Sequence, residues 1–179
     1  MNHRRAIIFH GTGGSPDNCW YRWLGRRLES RGYQVEIPHY PDLNRQPIEA
    51  FLPKVLSRHV FDEHTVLVGH SGGAALLLAI LEHIQSPVAQ AILVAGYITP
   101  PNTSAEPVLQ ARYDCEKIKR HVRDIYFVNS TTDPYGCDDK QGRAMFNQIG
   151  GTQIICDEGH FGSAEQDYPT FDLLDRLIL

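Results

Sequence analysis

Long hydrophobic runs are missing from this sequence. No apolar stretch approaches the ~20 residues that a membrane-spanning helix needs. The first ten residues contain one apolar block, residues 6–9, which is too short for the hydrophobic region of a secretory signal peptide. We therefore expect no membrane partner and a cytoplasmic location.

The sequence also lacks a concentration of positive charge. The 17 Lys and Arg residues are outnumbered by 21 Asp and Glu residues, and the formal net charge is −4. Proteins that bind nucleic acids gather Lys and Arg on one face to neutralise phosphates. This composition therefore argues against a nucleic acid as partner, and it says nothing about a protein partner.

Motifs for metals, disulfides and nucleotides are absent as well. The chain has four cysteines and nine histidines, but no C-x-x-C, no H-E-x-x-H and no paired Cys/His spacing. The wide spacing of Cys19, Cys115, Cys137 and Cys156 predicts free thiols. Residues 10–14 match neither G-x-G-x-x-G nor a phosphate loop that ends in GK[ST]. We expect neither a metal ion nor a cofactor.

Short apolar runs alternate with helical stretches along the whole chain. Continuous apolar runs are typical of strands that are buried on both faces, and they predict six strands, at residues 6–9, 33–37, 65–68, 89–94, 125–128 and 153–156. Helices are predicted over residues 20–30, 48–59, 73–83, 139–148 and 171–179.

This alternation predicts a mostly parallel sheet with helices on both faces. No linker or repeat divides the chain, so we expect a single α/β domain over residues 1–179. Residues 97–110 hold three prolines and predict a loop, at most a small lid over the carboxyl end of the fourth strand.

A nucleophile motif stands between the third strand and the third helix. The sequence Gly69-His70-Ser71-Gly72-Gly73 fits G-x-S-x-G in the strand–turn–helix context that this motif requires. The serine occupies a strained turn, and glycines two residues before and after it allow the close approach of the backbone. Ser71 is therefore the candidate nucleophile.

The loop after the first strand, His10-Gly11-Thr12-Gly13-Gly14, suits an oxyanion hole. Acyl transfer needs backbone N–H groups that point at the developing negative charge. One such donor is the residue after the nucleophile, here Gly72, and the second comes from an early strand–helix loop. We assign the second donor to Thr12.

Two further loops supply an acid and a base in the order Ser, Asp, His. Asp133 follows the fifth strand and is preferred to Asp138 and Asp139, of which the second resembles a helix N-cap. His160 lies on a glycine-flanked loop after the last strand. We expect His70, the neighbour of the serine, to point away from the site.

Taken together, these motifs, with Trp20, Asp133-Pro134 and Gly159-His160-Phe161, resemble the small serine-hydrolase family that includes retinoblastoma-binding protein nine. The resemblance spans almost the whole chain. It implies a compact single-domain α/β-hydrolase with little or no cap and the triad Ser71, Asp133 and His160. It also implies that Trp20 or a neighbour lines the substrate pocket.

The predicted function is hydrolysis of small ester or amide substrates through an acyl-enzyme. Aromatic residues near the motifs, chiefly Trp20, Tyr135 and Phe161, are candidates for the substrate pocket. Two other functions remain open. One is a binding protein of the same fold without turnover, and the other is an acyltransferase or thioesterase with the same triad.

Overall fold

The computed structural model describes residues 4–179. Six parallel strands form one sheet in the order β2-β1-β3-β4-β5-β6. The strands are β1 (Arg5–Phe9), β2 (Gln34–Glu36), β3 (Thr65–His70), β4 (Val88–Val94), β5 (Val122–Ser130) and β6 (Thr152–Cys156). The helices are α1 (Tyr21–Glu29), α2 (Ile48–Arg58), α3 (Gly72–His83), α4 (Cys115–Arg120), α5 (Asp139–Ile149) and α6 (Asp172–Leu177).

The strands at the centre of the sheet carry the core. Every residue of β3 and β4 is buried, as continuous apolar runs predict. The edge strands β2 and β6 are only partly buried, and Ile155 on β6 is 48% exposed. The expectation of full burial therefore holds at the centre and is wrong at the edges, where a strand has a neighbour on one side only.

The order of the strands decides where the helices lie. The chain moves from β1 to β2 in one direction across the sheet and from β2 through β6 in the other. Right-handed crossovers therefore place α1 on one face and α2 to α5 on the opposite face. In agreement, α1 packs against α6, whereas α3 packs against both α2 and α4. Neighbours on several sides explain why α3 is buried from Gly72 to Leu81.

Two local features differ from the sequence prediction. Helix α4 was not predicted, because six residues are too few for a helical period to emerge; Asp114 caps it by accepting a hydrogen bond from the backbone N–H of Lys117. The cap of α5 is Asp138 rather than Asp139, since the Asp138 side chain accepts from two backbone N–H groups of the first turn.

The reversal of strand order creates the crevice in which the site is built. Strands β1 and β3 are neighbours, and the connections that leave them run in opposite directions. In open α/β sheets ligands bind outside the carboxyl ends of such strands. The loop after β1 and the turn after β3 therefore open into the same crevice. Within residues 4–179, no helix is long and apolar enough to cross a membrane.

Candidate active site

Ser71 stands on a strained turn between β3 and α3. Its backbone has φ 55° and ψ −119°, a conformation that residues with side chains rarely adopt. A Cβ on Gly69 would lie 2.5 Å from the carbonyl oxygen of Gly73, and a Cβ on Gly73 would lie 2.5 Å from the carbonyl oxygens of Phe9 and His10. The two glycines thus permit the close packing that lifts Ser71 out of the sheet.

The loop after β1 places Thr12 beside this turn. The backbone N–H of Gly14 donates to the carbonyl oxygen of Gly11 at 3.0 Å, and Gly13 takes φ 72° within the tight turn thus formed. A Cβ on Gly72 would lie 3.3 Å from the backbone nitrogen of Thr12. The backbones of the two predicted oxyanion donors therefore meet next to Ser71.

Asp133 and His160 form a hydrogen-bonded pair. The Nδ1 atom of His160 is 2.7 Å from Oδ2 of Asp133, whose side chain is fully buried. The other carboxylate oxygen, Oδ1, accepts from the backbone N–H of Tyr135 at 2.8 Å. The carboxylate is thus held in place and fixes a proton on Nδ1, which leaves Nε2 of His160 free to act as a base. Ser71 and His160 line one pocket.

Gln166, which no sequence motif singles out, holds the loop of His160. Its Oε1 accepts from the backbone N–H groups of His160 (2.9 Å) and Gly162 (3.2 Å). Its Nε2 donates to the carbonyl oxygen of Glu158 at 2.8 Å. One side chain therefore satisfies three backbone groups of a loop that has no regular secondary structure.

The expectation that His70 points away from the site is wrong. Its ring lies 5.0 Å from the ring of His160, and His70 lines the pocket. Burial, and to a lesser extent the neighbouring His160, lowers the pKa of His70 to about 3, so the ring is neutral. Both ring nitrogens are engaged, with the Tyr21 hydroxyl and the His160 carbonyl oxygen, so neither is available to act as a base.

Cys137 is a second residue that the sequence did not single out for the site. It lines the pocket together with Ser71, and its thiol lies within 4.8 Å of ligand atoms of Asp133 and His160. Burial raises the pKa of this thiol, which keeps it protonated and unreactive at neutral pH. Such a Cys, His and Asp set is of the kind that binds zinc. Here both oxygens of Asp133 already accept hydrogen bonds, so we derive no step through a metal.

Two of the three predicted pocket aromatics lie elsewhere. The side chains of Trp20 and Phe161 have no exposed surface and belong to the core. The indole Nε1 of Trp20 donates to the carbonyl oxygen of Phe161 at 2.9 Å, and both rings pack on Phe171. Tyr135 does line the pocket, 39% exposed, with its ring 4.6 Å from that of His160.

The pocket itself is small and contains one carboxylate, Glu106, for which residues 4–179 provide hydrogen-bond donors but no salt bridge. Its volume is about 350 Å³, and residues from the loop 97–110 close one side. Among these, Glu106 accepts hydrogen bonds through Oε2 from the Tyr97 hydroxyl (2.5 Å) and from Nδ2 of Asn44 (2.6 Å). No Lys or Arg of residues 4–179 lines the pocket. Its wall therefore has a negative character.

Comparisons with known proteins identify the family and the fold. YdeN of Bacillus subtilis strain 168 is 32% identical over 135 residues, which are 73% of this chain and 71% of YdeN. The serine hydrolase RBBP9 of Rattus norvegicus is 29% identical over 90% of this chain and 89% of its own. The crystal structure of the B. subtilis ydeN product superposes with a TM-score of 0.86 and 25% identity, over 97% of this chain and 96% of that one.

Est1E from Butyrivibrio proteoclasticus, at 14% identity and a TM-score of 0.67 over 98% of this chain and 85% of that one, shares the fold. The family model described as "Serine hydrolase" matches residues 6–176, nearly the full chain. The fold is thus the α/β-hydrolase fold, and the chain belongs to the serine hydrolase family.

Proposed function

We propose that this protein hydrolyses small carboxylic esters or amides through a Ser71–His160–Asp133 triad and an acyl-enzyme. The observation that carries the proposal is the pairing of His160 with buried Asp133 at 2.7 Å, in the pocket into which the strained turn of Ser71 opens. A nucleophile, a base within its pocket and a group that orients the base are the parts that acyl transfer requires.

Acylation begins when Nε2 of His160 takes the proton from Oγ of Ser71. As this proton moves, Oγ forms a bond to the carbonyl carbon of the substrate and the carbonyl electron pair shifts to oxygen. The backbone N–H groups of Thr12 and Gly72 donate to this oxyanion. The intermediate then expels its alcohol or amine, which takes the proton from His160, and an ester to Ser71 remains.

Deacylation repeats the steps with water. His160 removes a proton from water, the resulting hydroxyl attacks the acyl carbon, and the proton returns to Oγ of Ser71 as the carboxylic acid leaves. Asp133 stays ionised throughout; it holds the Nδ1–H tautomer and stabilises the imidazolium. Helix α3 starts at Gly72 with Ser71 as its N-cap, so its N-terminus also favours negative charge at the oxyanion.

The pocket supports small, uncharged substrates over long or anionic ones. Its volume of about 350 Å³ is at the lower end of the range for small-molecule sites. The loop 97–110 is short and contributes polar groups such as Glu106 and Asn102 to the wall. A carboxylate without a neighbouring cation repels an anionic acyl group.

The test is a panel of p-nitrophenyl esters of increasing chain length with wild type, Ser71→Ala and Ser57→Ala. Ser57 is an exposed serine of α2 and serves as the matched control. We expect wild type and Ser57→Ala to prefer short chains and Ser71→Ala to lose at least 10³-fold in kcat. Higher kcat/KM for long chains would contradict the size argument. A folded wild type that turns over no ester or amide would favour the binding-protein alternative.

The same panel separates hydrolysis from acyl transfer. Added alcohol or thiol acceptors compete with water for the acyl-enzyme. For a hydrolase we expect free acid as the main product at millimolar acceptor concentrations. A dominant transfer product would assign the protein to the acyltransferases instead.

A further inference from the structure

A continuous chain of hydrogen bonds runs beneath the pocket through His70. The backbone N–H of Gly11 donates to the hydroxyl oxygen of Tyr21 at 3.3 Å. The Tyr21 hydroxyl lies 2.6 Å from Nδ1 of His70, and Nε2 of His70 lies 2.7 Å from the carbonyl oxygen of His160. This chain of hydrogen bonds therefore begins at Gly11 in the oxyanion loop, passes through His70 beside the nucleophile and ends at the backbone carbonyl of the base, His160.

The two ends of this chain, together with the neutral state of His70, determine the direction of every bond. A backbone N–H can only donate and a carbonyl oxygen can only accept. Nε2 of His70 therefore carries the proton towards His160, and Nδ1 accepts from the hydroxyl of Tyr21. The neutral state of His70 that this arrangement requires is the state that its burial imposes.

This chain of hydrogen bonds has very little exposed surface, so water can replace few of its bonds. Tyr21 is 2% exposed and His70 is 3% exposed. Removal of one partner would leave buried donors or acceptors unpaired, and the loops would shift to find new partners. Displacements of about 1 Å in an active site can lower the rate of reaction about 10²-fold.

We propose that His70 and Tyr21 are positioning residues for the reaction of Ser71, because they tie the loop of the oxyanion donor Thr12 to the loop of the base His160. The proposal rests on the proposed hydrolase function and concerns the geometry of that same site. His70 and Tyr21 take no part in the proton transfer. They set the distance between the groups that do.

The test compares two Tyr–His pairs of one molecule. Tyr21→Phe removes the hydroxyl from the chain and keeps the buried ring. The matched control is Tyr40→Phe, since the Tyr40 hydroxyl bonds to Nε2 of His59 at 2.8 Å outside the pocket lining. We expect both variants to lower the melting temperature, Tyr21→Phe by more because Tyr21 is buried and Tyr40 only partly so. We expect only Tyr21→Phe to lower kcat for a short p-nitrophenyl ester, about tenfold or more, with KM changed less than twofold.

A double-mutant cycle tests whether the two residues act as one unit. His70→Leu removes both bonds of the ring, whereas an amide in His70→Gln can still donate to the His160 carbonyl oxygen. We expect His70→Gln to retain more kcat than His70→Leu. In the double variant we expect Tyr21→Phe to lower kcat little beyond the loss that His70→Leu causes, because the chain of hydrogen bonds is already interrupted.

The outcomes separate this proposal from the proposed function. An active wild type with equal kcat in Tyr21→Phe and Tyr40→Phe would overturn the positioning role and leave the hydrolase intact. Fully additive losses of kcat in the double variant would also overturn it. A wild type that neither hydrolyses esters nor reacts with a fluorophosphonate would overturn the hydrolase function, and the positioning role with it.

Discussion

The buried carboxylate of Asp133 permits a quantitative test of the acid–base assignment. In Asp133→Asn the backbone N–H of Tyr135, which donates to Oδ1, holds the amide oxygen at that position. The amide NH₂ then occupies the position of Oδ2 and faces Nδ1 of His160. Since two donors cannot face each other, His160 turns to the tautomer with its proton on Nε2, which cannot accept the proton of Ser71.

The expected loss is about 10⁴-fold in kcat, the loss that a wrong histidine tautomer causes in a serine triad. At about 1.4 kcal/mol for each tenfold change, this is an increase of about 5.5 kcal/mol in the activation free energy. The assay is steady-state hydrolysis of a short p-nitrophenyl ester, with a melting curve to verify folding.

Asp138→Asn is the matched control, because it makes the same change of charge nearby. Asp138 caps α5, and asparagine caps helices as well as aspartate does. We expect its kcat to stay within about twofold of wild type. The reasoning is refuted if a folded Asp133→Asn keeps kcat within tenfold of wild type, or if Asp138→Asn shows the large loss.

Three further predictions concern other parts of the site. Gly72→Ala introduces a methyl group against Thr12, and we expect kcat to fall about 10²–10³-fold with the fold retained; an unchanged kcat would remove these residues from the oxyanion hole. The depressed pKa of His70, about 3 against 6.5 when unfolded, means that the unfolded chain binds the extra proton between these values. The free energy of unfolding should therefore fall as the pH drops from 6.5 towards 3, by up to about 1.4 kcal/mol per pH unit. Denaturant titrations at a series of pH values should show that the unfolding free energy of His70→Gln depends less steeply on pH. Trp20→Phe removes the hydrogen bond to Phe161, so a calorimetric scan should show a lower melting temperature while KM for short esters stays unchanged; a raised KM would return Trp20 to the substrate pocket.

The sequence predicted those parts of the molecule that local chemistry determines. Apolar runs predicted all six strands of the sheet, and the glycines around Ser71 predicted the sharp turn, because sterics between near neighbours decide both. The order of Ser71, Asp133 and His160 along the chain sufficed to select a pair that the structure joins at 2.7 Å. Each of these inferences depends on residues that are close in sequence or on strand ends that share one edge.

What the sequence could not predict depends on contacts between distant residues. Trp20 and Phe161 are 141 residues apart, and nothing in either segment shows that they pair in the core. The three bonds of Gln166 and the bonds of His70 to Tyr21 and His160 likewise exist only once loops from different strands have met. The notion that aromatics near a motif line its pocket was wrong for two of three, because large apolar rings favour burial.

The most direct test of the central claim is covalent labelling of Ser71. A fluorophosphonate probe reacts with serines that an adjacent base activates, and mass spectrometry of the digested protein locates the adduct. We predict one equivalent of label on Ser71 at neutral pH, no label in Ser71→Ala, and labelling at least 10²-fold slower in Asp133→Asn. A properly folded wild type that stays unlabelled, or a label on any other residue, would contradict it.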